Sequence, residues 1–162
     1  MSKKIAYGGI LLSVNAIILM LVNVIPINTI FILGIASLPI SVYIMMYGPI
    51  AGLSYYICLT IVSFLVISNK AQWILYILTF GLYGLVKYII EKDRHFIIEY
   101  LLKVLFANIM MGILYFIARQ IIYININLLT IIIFEFIFLV YDYMYSRFID
   151  YFSSRYLRIR NY

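Results

Sequence analysis

Long apolar runs, separated by a few short clusters of charge, constrain this chain more than any motif in it. Hydrophobic residues make up 67% of the 162 positions and charged residues 11%, too few to give a soluble domain of this size its polar shell. A helix needs about 20 apolar residues to cross the hydrocarbon core of a bilayer. The length therefore accommodates roughly six crossings with short connections and leaves no room for a separate soluble domain. The runs are continuously apolar and do not alternate, which favours helices over a barrel. The expected fold is all-α, an integral membrane bundle of six transmembrane helices.

The first crossing is expected from about Ile5 to Asn23, before Pro26, and the second from Thr29 to Tyr47. Pro39 lies inside the second. It lacks a backbone donor and crowds the preceding turn, so this helix should be kinked or broken there. The third follows Gly48-Pro49 to about Ile67, with a turn at Ser68-Asn69-Lys70, and the fourth runs from Ala71 to Ile90. Glu91-Lys92-Asp93-Arg94-His95 reads as an aqueous loop. The fifth helix spans Phe96 to Ala118 and the sixth Ile126 to Tyr145. Residues 1–146 thus form the transmembrane domain and 147–162 a basic tail.

The positive charges set the orientation. With six crossings and the N-terminus inside, Lys3, Lys4, Lys87, Lys92, Arg94, Arg147, Arg155, Arg158 and Arg160 are cytoplasmic, while Lys70 and Arg119 are outside. Nine against two is a strong positive-inside bias and puts both termini in the cytoplasm. Heavy use of Ile, Tyr and Asn suggests an AT-rich bacterial genome, hence the bacterial cytoplasmic membrane. The first run shows no small-residue cleavage site and reads as a spanning helix, not a signal peptide. In the tail, Phe148, Phe152, Tyr156 and Ile159 share one helical stripe, and Arg147, Arg155 and Arg158 another. That pattern describes an amphipathic helix at the headgroups or a docking surface. The net charge of +6 therefore points to membrane boundaries and not to nucleic acid.

Cys58 and His95 are the only residues of their types, so neither a disulfide nor a Cys/His metal site is expected. No carboxylate pair, nucleophile–base set or phosphate-binding glycine loop appears. No enzyme activity and no cofactor are expected.

Glu135 stands near the middle of the sixth helix with no basic residue one turn away. An acid there should face protein or a water-filled cavity, either as a solute or proton contact or bonded to a neighbouring helix. Asn108 and Asn15 lie within the fifth and first helices, where amides bond across helices by default. Glu99 and Lys103, one turn apart, are expected to pair with each other. Trp73, Arg119 and Asn127, with Asn23, Gln72, Gln120 and Asn125, collect at the outer ends, as an interfacial belt or the mouth of an outward pocket. Gly9 and Ser13, Gly48 and Gly52, and Gly81 and Gly84 supply the small residues that let helices approach closely, within this bundle or against a partner.

Two stretches resemble a known group. They are Ala6-Tyr7-Gly8-Gly9-Ile10-Leu11-Leu12-Ser13, and Ser37-Leu38-Pro39 followed by Tyr47-Gly48-Pro49-Ile50-Ala51-Gly52. Across roughly Lys4 to Lys92 the organisation is similar to the substrate-binding S components of energy-coupling factor transporters, a group that also includes YybS-like and MreD-like proteins. The resemblance implies capture of a small solute, a vitamin or similar, in an outward pocket built by the later helices. It also implies a transmembrane coupling subunit, contacted through the first helix, and two separate ATPase subunits. On that reading Glu135, Asn108, Trp73, Arg119 and Asn127 are the expected solute contacts. Gly9 and Ser13 are the expected partner contacts; the family commonly has an alanine pair four apart at this place. The rival reading is a non-transporting scaffold or assembly subunit in the manner of MreD-like proteins.

Overall fold

The computed structural model describes residues 2–25, 27–92, 94–120 and 127–160, with the backbone alone at 2, 128 and 156–160. Eight α-helices account for most of the described residues: α1 (Ser2–Val24), α2 (Thr29–Ala36), α3 (Leu38–Tyr47), α4 (Pro49–Val66), α5 (Lys70–Leu75), α6 (Leu82–Glu91), α7 (Phe96–Arg119) and α8 (Leu128–Arg160). A wider, π-type turn, Tyr76–Gly81, joins α5 to α6. Helices α2 with α3, and α5 with α6, form single spans. The chain thus has six helical spans long and apolar enough to cross a bilayer, the architecture of a multi-pass membrane protein.

The connections follow from local chemistry. Asn28 takes the left-handed conformation (φ 66°) that turns the chain into α2, a conformation asparagine tolerates better than most residues. Gly48, at φ 85°, makes the sharp joint between α3 and α4, and Pro49 opens α4 where a missing donor costs nothing. Asn69 caps α5 by accepting from the Ala71 amide at 3.0 Å. Asn23 pins the end of the first span to the end of the third. Its Nδ2 donates to the Val66 carbonyl at 2.7 Å and its Oδ1 accepts from the Ser68 amide at 3.0 Å. Lys70 closes the same end of α4 by donating to the Phe64 and Ile67 carbonyls.

The first four spans enclose the core, around Leu19, Leu33, Ile40, Leu59, Ile67 and Tyr76. Glycines allow the tightest approaches. A Cβ on Gly84 would lie 2.6 Å from the Tyr145 hydroxyl and 2.7 Å from Ile40 Cγ2, and one on Gly52 would collide with Ile44. The fifth and sixth spans attach more loosely. Among the residues of α7, only Lys103 and Ala107 are buried.

The second span, expected to kink or break at Pro39, consists of two helices separated at Ser37, with Pro39 in the first turn of α3. Pro39 has no N–H for the Ile35 carbonyl, and the Ser37 amide bonds back to Gly34 in a tighter turn at 3.2 Å. At the other end of the chain, α8 runs unbroken across 146–147. Its 33 residues span about 50 Å at 1.5 Å per residue, well beyond the hydrocarbon core of about 30 Å. The tail is therefore a continuation of the sixth helix. Phe148 and Phe152 stack at 6.3 Å on its expected apolar stripe, while the side chains of Tyr156, Arg158 and Ile159 lie outside the described residues, as do Pro26 and Asn125.

Candidate functional site

Inside a bilayer a broken helix must find partners for its freed backbone groups within the protein. Here Tyr76 serves the Ala36 carbonyl, Ser37 serves the Gly34 carbonyl, and two tyrosines of α8 bond to Ser37 itself. The Tyr145 hydroxyl of α8 donates to the Ser37 carbonyl at 3.1 Å. The Ser37 hydroxyl donates to the Gly34 carbonyl at 2.6 Å. With that proton committed, Tyr141, 2.6 Å away, is the donor to Ser37 Oγ. On the opposite side the Tyr76 hydroxyl lies 2.9 Å from the Ala36 carbonyl and 3.2 Å from Asn15 Oδ1, two acceptors for one proton. Asn15 in turn reaches Tyr55 at 3.5 Å. Ser37, Tyr76, Tyr145 and Asn15 are fully buried.

The second irregular segment, the π-type turn Tyr76–Gly81, faces the first. It begins at Tyr76, which serves the Ala36 carbonyl, and its own Ile77 carbonyl accepts from Tyr56 at 2.9 Å. Gly34, on the last turn of α2, provides the gap between them. A Cβ there would touch the rings of Tyr141 and Phe80, which themselves pack edge to face at 5.3 Å. The broken second span and the widened fourth span thus meet in the interior, sealed by aromatic rings and hydroxyls.

Next to this seam lies a four-charge cluster. The Lys87 ammonium donates to Glu91 Oε1 at 2.6 Å, Asp142 Oδ1 at 2.6 Å and Ser146 Oγ at 2.7 Å, which uses all three of its protons. Lys103 donates to Glu91 at 2.5 Å and Asp142 Oδ2 at 3.1 Å. Tyr83 donates to Asp142 at 2.5 Å. Two ammonium groups and two carboxylates balance, so the cluster draws the fourth, fifth and sixth spans together without leaving a net charge to solvate. Tyr83 is also an aromatic hub, its ring within 6 Å of those of Phe106, Phe138, Tyr141 and Tyr145.

Two clefts reach the cluster from outside. One, of about 180 Å³, is lined by Ser41, Met45, Lys87, Tyr88 and Glu91. The other, of about 530 Å³, runs between the start of α7 and the second half of α8, past Glu99, Lys103, Asp142 and Arg147. Among the described residues no group of His, Cys, Asp and Glu is arranged to hold a metal ion, and Cys58 is a free, exposed thiol.

The residues singled out from sequence fall into separate places. Glu135 and Asn108 meet: the amide Nδ2 donates to Glu135 Oε1 at 3.0 Å and to its own helix at Val104, and both side chains are half-buried. Glu135 therefore has a partner in the next helix. Trp73 lies against α4, where its indole donates to the Thr60 carbonyl at 3.3 Å and its ring meets Phe64 edge-on. Arg119 and Asn127 are exposed at the ends of α7 and α8. Among the described residues no hydrogen bond, ion pair or ring contact joins Trp73, Arg119 or Asn127 to the Asn108–Glu135 pair. Gly9 and Ser13 sit on an open face of α1. A Cβ on Gly9 would meet nothing within 4 Å, and Ser13 bonds back to the Gly9 carbonyl at 2.9 Å. Lys103, expected to pair with Glu99, turns instead to Glu91 and Asp142.

Sequence reasoning passed over Lys87, Glu91 and Asp142 as an orientation charge, a loop residue and an unremarked acid. Their signal was present: Lys87 and Glu91 are four apart, and Asp142 is the one other acid besides Glu135 in the apolar part of the sixth run. Comparison with known protein families, curated proteins and solved structures finds no match to this chain.

Proposed function

We propose that this chain is a non-enzymatic subunit of a bacterial cytoplasmic membrane, with both termini in the cytoplasm, that binds a small solute for uptake in the manner of an S component. A transmembrane coupling subunit and two separate ATPase subunits would energise it. The observation that carries this reading is the meeting of two interrupted spans inside the bundle. Irregular backbone at membrane depth is tolerated where it is buried in protein or lines a solute path, and discontinuous spans commonly mark binding sites. The second span is interrupted at Ser37, and tyrosines of the fourth and sixth spans bond over that step. Gly9 and Ser13, uncovered on α1, are the proposed face for the coupling subunit.

The test is purification from native membranes under mild conditions, with identification of co-purifying subunits and of small molecules released on denaturation. A stoichiometric solute, or a coupling subunit with its ATPases, supports the proposal. Their joint absence overturns it.

One observation favours the scaffold reading: Asn108 and Glu135 satisfy each other across α7 and α8. A scaffold would keep that pair for packing, and Glu135→Gln would leave its assembly partners bound.

A further inference from the structure

The two polar sites of α8 lie side by side on one helix. Tyr141 and Tyr145, four residues apart, both bond to Ser37 in the break of the second span. Asp142 and Ser146, also four apart and offset by one residue, both bond to Lys87 of the fourth span. Two adjacent rows of one rigid helix are thus fastened to two different spans, and side chains four apart move together with their helix.

We propose that α8 is a latch: the charge cluster holds it in the register at which its tyrosines close the break at Ser37. The two ends differ in access. Asp142 and Glu91 are partly exposed and border the clefts, whereas Ser37 and Tyr145 are sealed. A change in charge pairing at the cluster therefore reaches the interior through displacement of α8, without any group having to enter. Among the residues of α7 only Lys103 and Ala107 are buried, so the cluster is a polar tie that both of the last two spans share with the fourth, beside the ring contacts of Tyr83. Release of the cluster withdraws both tyrosines, and Ser37 loses both of its hydrogen bonds to α8 together.

The latch stands apart from the solute proposal, because its test uses no solute. Ala36, fully buried beside the break, is replaced by cysteine in a Cys58→Ser background, and its alkylation by N-ethylmaleimide is followed in native membranes. With the cluster intact the thiol of Ala36→Cys is protected. Tyr145→Phe, which opens the break directly, sets the scale of the response. Asp142→Asn should accelerate labelling by about tenfold or more through local opening, and Asp142→Glu should restore protection. A cysteine replacing Leu59, buried in α4 away from the latch, should stay protected throughout. Where Asp142→Asn is not recovered in membranes, Lys103→Met is read in the same way. Unchanged labelling at 36, or equal exposure at 36 and 59, overturns the latch.

Discussion

Tyr145 and Ser37, on the sixth and second spans, are joined by a 3.1 Å hydrogen bond that gives the Ser37 carbonyl a donor from a distant part of the chain. The bond is possible because Gly84 leaves room: the Tyr145 hydroxyl occupies the space a Cβ at 84 would need. A glycine on the fourth span, a tyrosine on the sixth and a break in the second therefore form one packed unit. Removing the hydroxyl tests it. Tyr145→Phe removes one of two hydrogen bonds to the Ser37 carbonyl, which as the N-cap of α3 also accepts the first bond of that helix, and should lower stability by about 0.5–1.5 kcal/mol. Thermal unfolding in detergent measures this, with Tyr88→Phe, at a partly exposed ring, as the neutral comparison.

The same contact predicts opposite behaviour for two glycines. Gly84→Ala forces its methyl into Tyr145 and Ile40 and should cost about 1–3 kcal/mol by overpacking. Gly9→Ala meets open space and should leave the isolated subunit unchanged. If Gly9 faces a coupling subunit, a bulkier Gly9→Leu would preserve the melting temperature yet lose co-purification.

The charge cluster makes a sharp distinction between Lys103 and its sequence neighbour Glu99. Lys103→Met strips Glu91 and Asp142 of a shared cation in a partly exposed setting where both keep Lys87, and should cost about 1–3 kcal/mol, between the values for exposed and buried pairs. Glu99→Gln should change stability by less than about 0.5 kcal/mol, since Lys103 is directed elsewhere. Comparable losses from both substitutions would restore the pairing expected from their one-turn spacing.

Glu135→Gln keeps an oxygen for the Asn108 amide and should leave stability nearly unchanged. Glu135→Leu removes that acceptor and should cost about 1–3 kcal/mol. Equal stability of the two variants would show that the pair contributes nothing to packing.

Much of this architecture was legible in the sequence, because crossing a bilayer imposes a length and an apolarity that local composition records. The six spans and the Gly48-Pro49 joint followed from residue types acting within a few positions of themselves. What the sequence concealed depends on which helix faces which. Lys103 has Glu99 one turn away, yet its acceptors come from the fourth and sixth spans. Glu135 seemed unaccompanied because its partner, Asn108, is on another helix. The tyrosines were indistinguishable from the many others in the chain, since only the location of the break selects Tyr76, Tyr141 and Tyr145. The π-type turn at Tyr76–Gly81 carried no proline to announce it.

If α8 is the proposed latch, the charge cluster and the interruption of the second span form one mechanical unit joined through that helix. The most direct measurement is a double-mutant cycle between Lys103→Met and Ser37→Ala, residues on different spans with no contact between them, read by unfolding in detergent. Independent sites add within about 0.5 kcal/mol. Linkage through α8 predicts a coupling above that, in the range of about 0.5–3 kcal/mol, with the second substitution costing less once the first has freed the helix. Strict additivity of the two losses would contradict the account.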